Sequence, residues 1–212
     1  KIANLNINTL IQTNEESDYG SVPGNLGKIS KEKDLIISVI GNSDKEDPLL
    51  LSGPLAMDES GRIKSGNIDD INRIDYSAPF GISTNYEKVS SSFLNAYDIS
   101  DIIVLELGDS YRLDEYKNMM SLESYSNYKG NMMIKMDNLL KEIKLNLNNE
   151  DIMIVASPFP SLENYQNGYR LAPIYITNGK TDQIGLLTSA STRRDGVISN
   201  IDISAFIAEH FE

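Results

Sequence analysis

Short apolar runs that alternate with segments of helical periodicity are the feature that most constrains the fold of this chain. The clearest runs are Leu35–Ile40, Asp101–Leu107 and Ile152–Ala156, and turn-forming or small polar residues follow each of them. Apolar runs of this length predict buried strands. Since helical patterns separate them along the whole chain, the sequence predicts a three-layer α/β sandwich with a largely parallel central sheet.

Weaker patterns predict the remaining elements. Helical spacing indicates a long helix at Lys129–Asn148, whose expected core face is Met132, Met133, Met136, Leu140, Ile143 and Leu147. Further helices are expected at Asn25–Asp34, from Thr84 or Asn85 to Tyr97, at Leu113–Met120 and at Asp202–Phe211. Further strands are expected at Leu49–Leu51, Leu171–Thr177 and Gly185–Thr188, with a hairpin over 56–63. Residues 1–23 are interpreted as a polar arm or loop.

The bulk composition excludes several classes of partner. The chain has 212 residues, 40% of them hydrophobic, which favours a single domain over residues 1–212 with a sizeable core. Its net charge of −12 argues against nucleic acid and against direct docking on anionic lipid. There is no cysteine, so disulfides, thiolate metal sites and thiol catalysis are excluded.

Histidine is nearly absent, which narrows the chemistry further. The single histidine, His210, is expected on the surface of the last helix, which leaves a Ser-His-Asp triad without a base. Histidine-rich metal centres are excluded by the same count. No cofactor is predicted, although a Mg²⁺ or Ca²⁺ site made only of carboxylates stays open.

Polar residues that follow predicted strands are the first candidates for a site. Ligands of open α/β sheets gather outside the carboxyl ends of the strands. Asn42, Asp109 and Ser157 occupy such positions and are the candidate cleft residues. The alternative is that these residues have no functional role, since loops after strands are polar whatever the function.

A second candidate site is the hydroxyl-rich stretch that precedes the last helix. It contains Ser189, Ser191, Thr192, Arg193 and Arg194, and its paired arginines could hold a phosphate, sulfate or carboxylate through forked hydrogen bonds. The competing interpretation is that Arg194 pairs with Asp195 or Asp202 and only fastens the loop.

The same stretch, Thr192-Arg-Arg-Asp-Gly196 followed by Asn200-Ile-Asp-Ile203, resembles the alkaline phosphatase, sulfatase and phosphoglycerate mutase superfamily. The chain looks closest to a poorly characterised bacterial group of membrane-associated or secreted proteins. The segments Pro23–Gly27, Val39–Asn42 and Val104–Asp109 also look like that group, so the resemblance extends from about Tyr19 onward. It implies an alkaline-phosphatase-like fold whose first strand would lie before Lys1.

The metal ligands of the superfamily are not matched. The resemblance implies an Asp-His pair where this chain has Ser157-Pro158, and a histidine where it has Thr188-Ser189 and Ser191-Thr192. Asp109 keeps one carboxylate, but the histidine expected soon after it is missing. The fold is therefore expected to transfer without the metal chemistry.

These observations favour a non-catalytic binding or scaffolding module that recognises an anionic group. The resemblance alone implies a location at the cell envelope or outside the cell, with any membrane association supplied by parts outside this chain. The alternative is a phosphoester or sulfoester hydrolase whose reduced, carboxylate-led metal site is completed by residues outside this chain. The partner is not predicted by the sequence, and a purely structural role through protein-binding loops stays open.

Overall fold

A computed structural model describes residues 2–4, 6–16, 23–179 and 185–211. The chain divides into two compact units, Lys1–Leu139 and Leu140–Glu212. The expectation of one domain over residues 1–212 stays a prediction. Among the described residues, no helix is both long enough and apolar enough to cross a membrane.

The first unit contains seven strands and the helices that connect them, counted over its described residues. The strands are β1 (Ile2–Ala3), β2 (Ile37–Asn42), β3 (Arg62–Ile63), β4 (Ser65–Asn67), β5 (Asn72–Ile74), β6 (Ile82–Thr84) and β7 (Ile102–Leu107). The helices are α1 (Ile7–Glu15), α2 (Asn25–Glu32), α3 (Gly53–Ala56), α4 (Tyr86–Tyr97), α5 (Asp109–Tyr116) and the long α6 (Leu122–Asn146), which runs past the unit boundary.

A three-stranded parallel sheet in the order β4-β2-β7 forms the centre of this unit. All six residues of β2 are buried, which confirms the strand predicted from the run at 35–40 and fits a strand covered on both faces. β7 pairs with β2 along its whole length, from Ile37 beside Ile102 to Asn42 beside Leu107. The α/β class and the parallel pairing predicted from the sequence are therefore confirmed at this level.

Glycine is required where β2 approaches β7 most closely. Gly41 has φ +100°, and a Cβ built there would lie 2.0 Å from the carbonyl oxygen of Glu106. No other residue type fits this backbone without moving the neighbouring strand. The Gly41-Asn42 pair, predicted to stop the strand, instead continues it.

Several short segments differ from the prediction. β1 and α1 lie within the predicted polar arm, and β3 pairs antiparallel with β1 instead of closing a hairpin over 56–63. The turn chemistry of that hairpin is present, since the Asp58 carboxylate accepts hydrogen bonds from the backbone N–H groups of Ser60 and Arg62. Residues 49–51 form no strand, because Glu106 binds the backbone at Leu51 and Ser52 and turns the chain.

The helix α6 confirms the predicted long helix and most of its predicted core face, but Met133 does not belong to that face. Its buried residues are Met132, Leu139 and Ile143, with Leu147 just beyond its end also buried. Met133, predicted to be core, is 53% exposed. A step of one residue rotates a helix by about 100°, so Met133 points away from the stripe to which Leu139 belongs.

The second unit pairs its two strands antiparallel. β8 (Ile152–Ala156) lies against β9 (Ile174–Asn178), with the short helix α7 (Leu162–Gln166) between them in sequence and α8 (Asn200–His210) after them. This pairing differs from the parallel arrangement expected for the whole chain. The described residues 185–188 form no strand and belong to the loop that leads to the start of α8.

Candidate functional site

The carboxyl ends of β2, β4 and β7 meet at one edge of the parallel sheet. β4 and β7 flank β2 on opposite sides, the arrangement at which open α/β sheets form a ligand crevice. Two of the three predicted cleft residues, Asn42 and Asp109, come to this edge. The third, Ser157, lies in the Leu140–Glu212 unit, where its exposed hydroxyl donates to the carbonyl oxygen of Phe159 at 2.7 Å.

Asn42 is a buried connector between neighbouring segments. Its Nδ2 donates to the carbonyl oxygen of Ile68 at 2.6 Å, just after β4. Its Oδ1 accepts from the Asp44 N–H at 3.1 Å and from Asn72 Nδ2 at 2.6 Å. All these bonds are internal, so Asn42 shapes the edge of the sheet and does not present its amide to a ligand.

Asp109 begins α5 directly after β7, and its carboxylate is only 4% exposed. Its Oδ1 accepts from the Thr84 N–H and from Arg112 Nη2, both at 2.8 Å, while Oδ2 accepts from the Tyr86 hydroxyl at 2.9 Å. A buried carboxylate is stable only with such partners. Asp109 therefore ties β6, α4 and α5 together.

Arg112 completes this buried cluster one helical turn after Asp109. Its guanidinium, 1% exposed, donates from Nη1 to the carbonyl oxygen of Asp44 at 3.0 Å and from Nη2 to Thr84 Oγ1 at 2.9 Å. Its Nε is buried with no hydrogen-bond partner among the described residues. The cluster holds the Asp44 loop, β6 and α5 in one arrangement.

The pKa values of two tyrosines are raised by burial and by the charge of this cluster. Burial raises the pKa of Tyr86 far above its ordinary value of 10.0, and the Asp109 carboxylate adds to the effect. Burial also raises the pKa of Tyr128, again with a contribution from Asp109. Both phenols are therefore neutral at physiological pH, and that of Tyr86 donates a hydrogen bond to Asp109.

The predicted anion loop lies in the second unit and is held by its own hydroxyls. Thr192 Oγ1 donates to the carbonyl oxygen of Val197, and Ser189 Oγ lies 3.2 Å from Thr192 Oγ1. Ser191 Oγ donates to the Asp202 carboxylate, which also accepts from the Ser199 N–H in a capping box at the start of α8. These bonds lower the pKa of Asp202, the hydrogen bond from Ser191 being the largest cause.

The two arginines of this loop are not part of the hydrogen-bond network that its hydroxyls form. Arg193 and Arg194 are exposed, and neither forms an ion pair with a carboxylate of the described residues. The competing interpretation, a pairing of Arg194 with Asp195 or Asp202, is not observed among the described residues, and the Asp202 carboxylate accepts from Ser191 and Ser199 instead. Arg193 has φ +52°, so the loop reverses at this residue.

Several residues whose hydrogen bonds join the segments at the sheet edge were missed by sequence reasoning. They are Asn72, Thr84, Tyr86, Glu106 and Arg112. Only the Asp109–Arg112 pair could be recognised from the sequence, since opposite charges three residues apart on a helix are neighbours. The others come together only through the fold. His210 lies exposed at the end of α8, as predicted.

Comparison with known proteins adds no relative. No family model, curated protein or solved structure matches this chain.

Proposed function

We propose that this chain is a non-catalytic binding module that recognises an anionic group through Arg193 and Arg194. The observation that carries this proposal is that two adjacent, exposed guanidinium groups lie in a loop already fixed by other side chains. Guanidinium groups bind carboxylate, sulfate and phosphate oxygens in a forked geometry. Because the hydroxyls hold the loop backbone, binding has to order only the arginine side chains.

The sheet edge supports a binding role over a hydrolytic one. Asp109 is the carboxylate that the superfamily resemblance would assign to a metal, yet both of its oxygens accept hydrogen bonds from protein groups. A metal at Asp109 would have to displace Arg112 or Tyr86 from a buried position. We propose a structural role for Asp109, within the alkaline-phosphatase-like, three-layer layout and the cell-envelope location that the sequence resemblance alone implies.

Titration of the full chain with inorganic phosphate and with sulfate tests the anion site. We expect saturable binding, with amide NMR shifts at residues 189–196, and we expect Arg193→Ala or Arg194→Ala to weaken it by about tenfold or more, since a charge-assisted hydrogen bond is worth ~1.5–3 kcal/mol. Arg193→Lys keeps the charge but loses the fork, and should bind with intermediate affinity.

Arg62→Ala is the matched control, because Arg62 is also an exposed arginine and lies on β3 in the other unit. It removes the same charge and should leave phosphate binding unchanged. An equal loss of affinity in Arg62→Ala would show that phosphate responds only to overall charge. That result, or the absence of saturable binding, would overturn the proposal.

A further inference from the structure

The sulfur atoms of this chain are all thioethers, because its seven methionines are accompanied by no cysteine. Five of the seven lie close together in sequence, as the adjacent pairs Met119-Met120 and Met132-Met133 and as Met136. We propose that Met119 and Met133 are reversible oxidation sites, at which a peroxide converts the thioether to a sulfoxide while the chain stays folded. This proposal does not depend on the anion site.

Solvent access distinguishes these two methionines from the others. Met133 is 53% exposed, whereas its neighbour Met132 is 5% exposed and belongs to the buried stripe of α6. Met119 is 73% exposed and ends the short 3₁₀ helix between α5 and α6. All seven methionines lie within the described residues, and only Met119 and Met133 are exposed. Since peroxide reaches a sulfur atom from solvent, oxidation is expected first at these two positions.

The buried methionines show what oxidation would cost elsewhere. Met57 is 0% exposed, and its Sδ accepts a weak hydrogen bond from Asn4 Nδ2 at 3.8 Å. An oxygen atom added to Met57 or Met132 would be a new polar group in the core, and a buried polar group without a partner is costly. Oxidation of these two sulfurs is therefore coupled to opening of the fold.

The accessible methionines do not carry this cost. At least half of the surface of Met119 and of Met133 faces water, so a sulfoxide oxygen at either position is hydrated. The buried stripe of α6, with Met132 and Leu139, keeps its contacts when the outer sulfurs are oxidised. The chain is therefore expected to take up oxidant at Met119 and Met133 without losing its core.

Hydrogen peroxide is the oxidant in this reaction. A lone pair of the sulfur attacks one peroxide oxygen, the O–O bond breaks as the S–O bond forms, and the other oxygen takes up the transferred proton and leaves as water. The sulfur is oxidised and the peroxide is reduced. The reverse step needs a sulfoxide reductase and a dithiol, which becomes a disulfide while the oxygen leaves as water. This chain has no cysteine, so the dithiol comes from another molecule.

Peptide mass spectrometry of the full chain during exposure to hydrogen peroxide tests the proposal. We expect Met119 and Met133 to gain oxygen at least about tenfold faster than Met57 and Met132, because buried sulfurs react only when the fold opens locally. Circular dichroism should stay unchanged when both accessible sulfurs are oxidised. In urea all four methionines should react at similar rates, which separates the effect of burial from that of the neighbouring sequence. Sulfoxide reductases for both epimers, with dithiothreitol, should restore Met119 and Met133.

The adjacent pair Met132-Met133 provides a matched control. The double variant Met119→Leu, Met133→Leu keeps nearly the same side-chain volume, and its early oxygen uptake should fall by at least about twofold. Met132→Leu removes a sulfur one residue away, at a buried position, and should leave the early uptake unchanged. Equal oxidation rates at Met132 and Met133, loss of the circular dichroism signal as the outer sulfurs react, or failure of the reductases to restore them would each overturn the proposal.

Discussion

At the scale of single residues, the buried ion pair Asp109–Arg112 joins several segments of the first unit. Their oxygens and nitrogens lie 2.8 Å apart, with side chains only 4% and 1% exposed. Buried ion pairs gain little against apolar replacements, but the loss of one partner leaves an uncompensated charge. The value of this pair therefore lies in which segments it joins: the Asp44 loop, Thr84 and α5.

We expect Arg112→Met to lower the free energy of unfolding by about 3–5 kcal/mol, because the Asp109 carboxylate would stay buried without its cation. Arg62→Met, at an exposed position, should change it by less than about 0.5 kcal/mol. Urea unfolding followed by circular dichroism measures both. Equal stability of the two variants would contradict the structural role assigned to Arg112.

The raised pKa of Tyr86 predicts a loss of stability in alkali. A phenol whose folded pKa lies above its unfolded value of 10.0 contributes stability that is fully present below about pH 10 and is lost as the pH rises above it. Tyr86→Phe cannot ionise, so its urea midpoint should fall less steeply between about pH 9 and 11. Parallel slopes for the two proteins would show that Tyr86 ionises normally in the folded chain.

At the scale of elements, α6 shows how far periodicity determines a helix. The apolar pattern predicted the helix and most of its inward residues, but it assigned Met133 to the core and passed over Leu139. Several apolar residues crowd this segment, so more than one stripe fits the sequence. Only the position of the neighbouring elements decides which stripe is covered.

We expect Leu139→Ala to destabilise the fold by about 2–5 kcal/mol, because it leaves a cavity at a position that is only 3% exposed. Leu145→Ala is the matched control on the same helix, at a position 82% exposed, and should cost less than about 0.5 kcal/mol. Thermal unfolding of both variants provides the measurement. A large loss in Leu145→Ala would show that the opposite face of α6 is the packed one.

The positions of the long strands were predicted better than the strands with which they pair. The runs at β2, β7 and β8 were located within two residues, because a short apolar run between turn residues is typical of a buried strand. The short strands β4, β5 and β6 escaped notice, since three-residue segments such as Ser65–Asn67 carry no periodicity. β4 is a strand because β2 supplies its hydrogen-bond partners, and β5 and β6 are strands because they pair with each other.

At the scale of the whole molecule, the two units carry different candidate sites. The first holds the buried Asp109 cluster, and the second holds the exposed arginine pair. The arginine pair does not follow from the net charge of −12, which would only disfavour anions. Local arrangement of charges, not their sum, determines what each surface attracts.

The proposed binding role predicts the metal content of the protein. We expect the full-length protein, purified without chelator and incubated with Zn²⁺, Mn²⁺ or Mg²⁺, to hold far less than one metal per chain, because Asp109 is committed to Arg112, Thr84 and Tyr86. Elemental analysis measures this directly. Near-stoichiometric, tightly held metal would favour the hydrolase alternative instead.

The sequence by itself determined the α/β class, the main strands and helices, the position of Asp109 after a strand, and the exposure of His210. These features depend on local periodicity and on residues close in the chain. Tertiary structure alone decided that Glu106 turns the 49–52 segment, that Asn72 faces Asn42, and that β8 and β9 pair antiparallel. Such pairings join residues far apart in sequence, and their energies depend on geometry that no local pattern encodes.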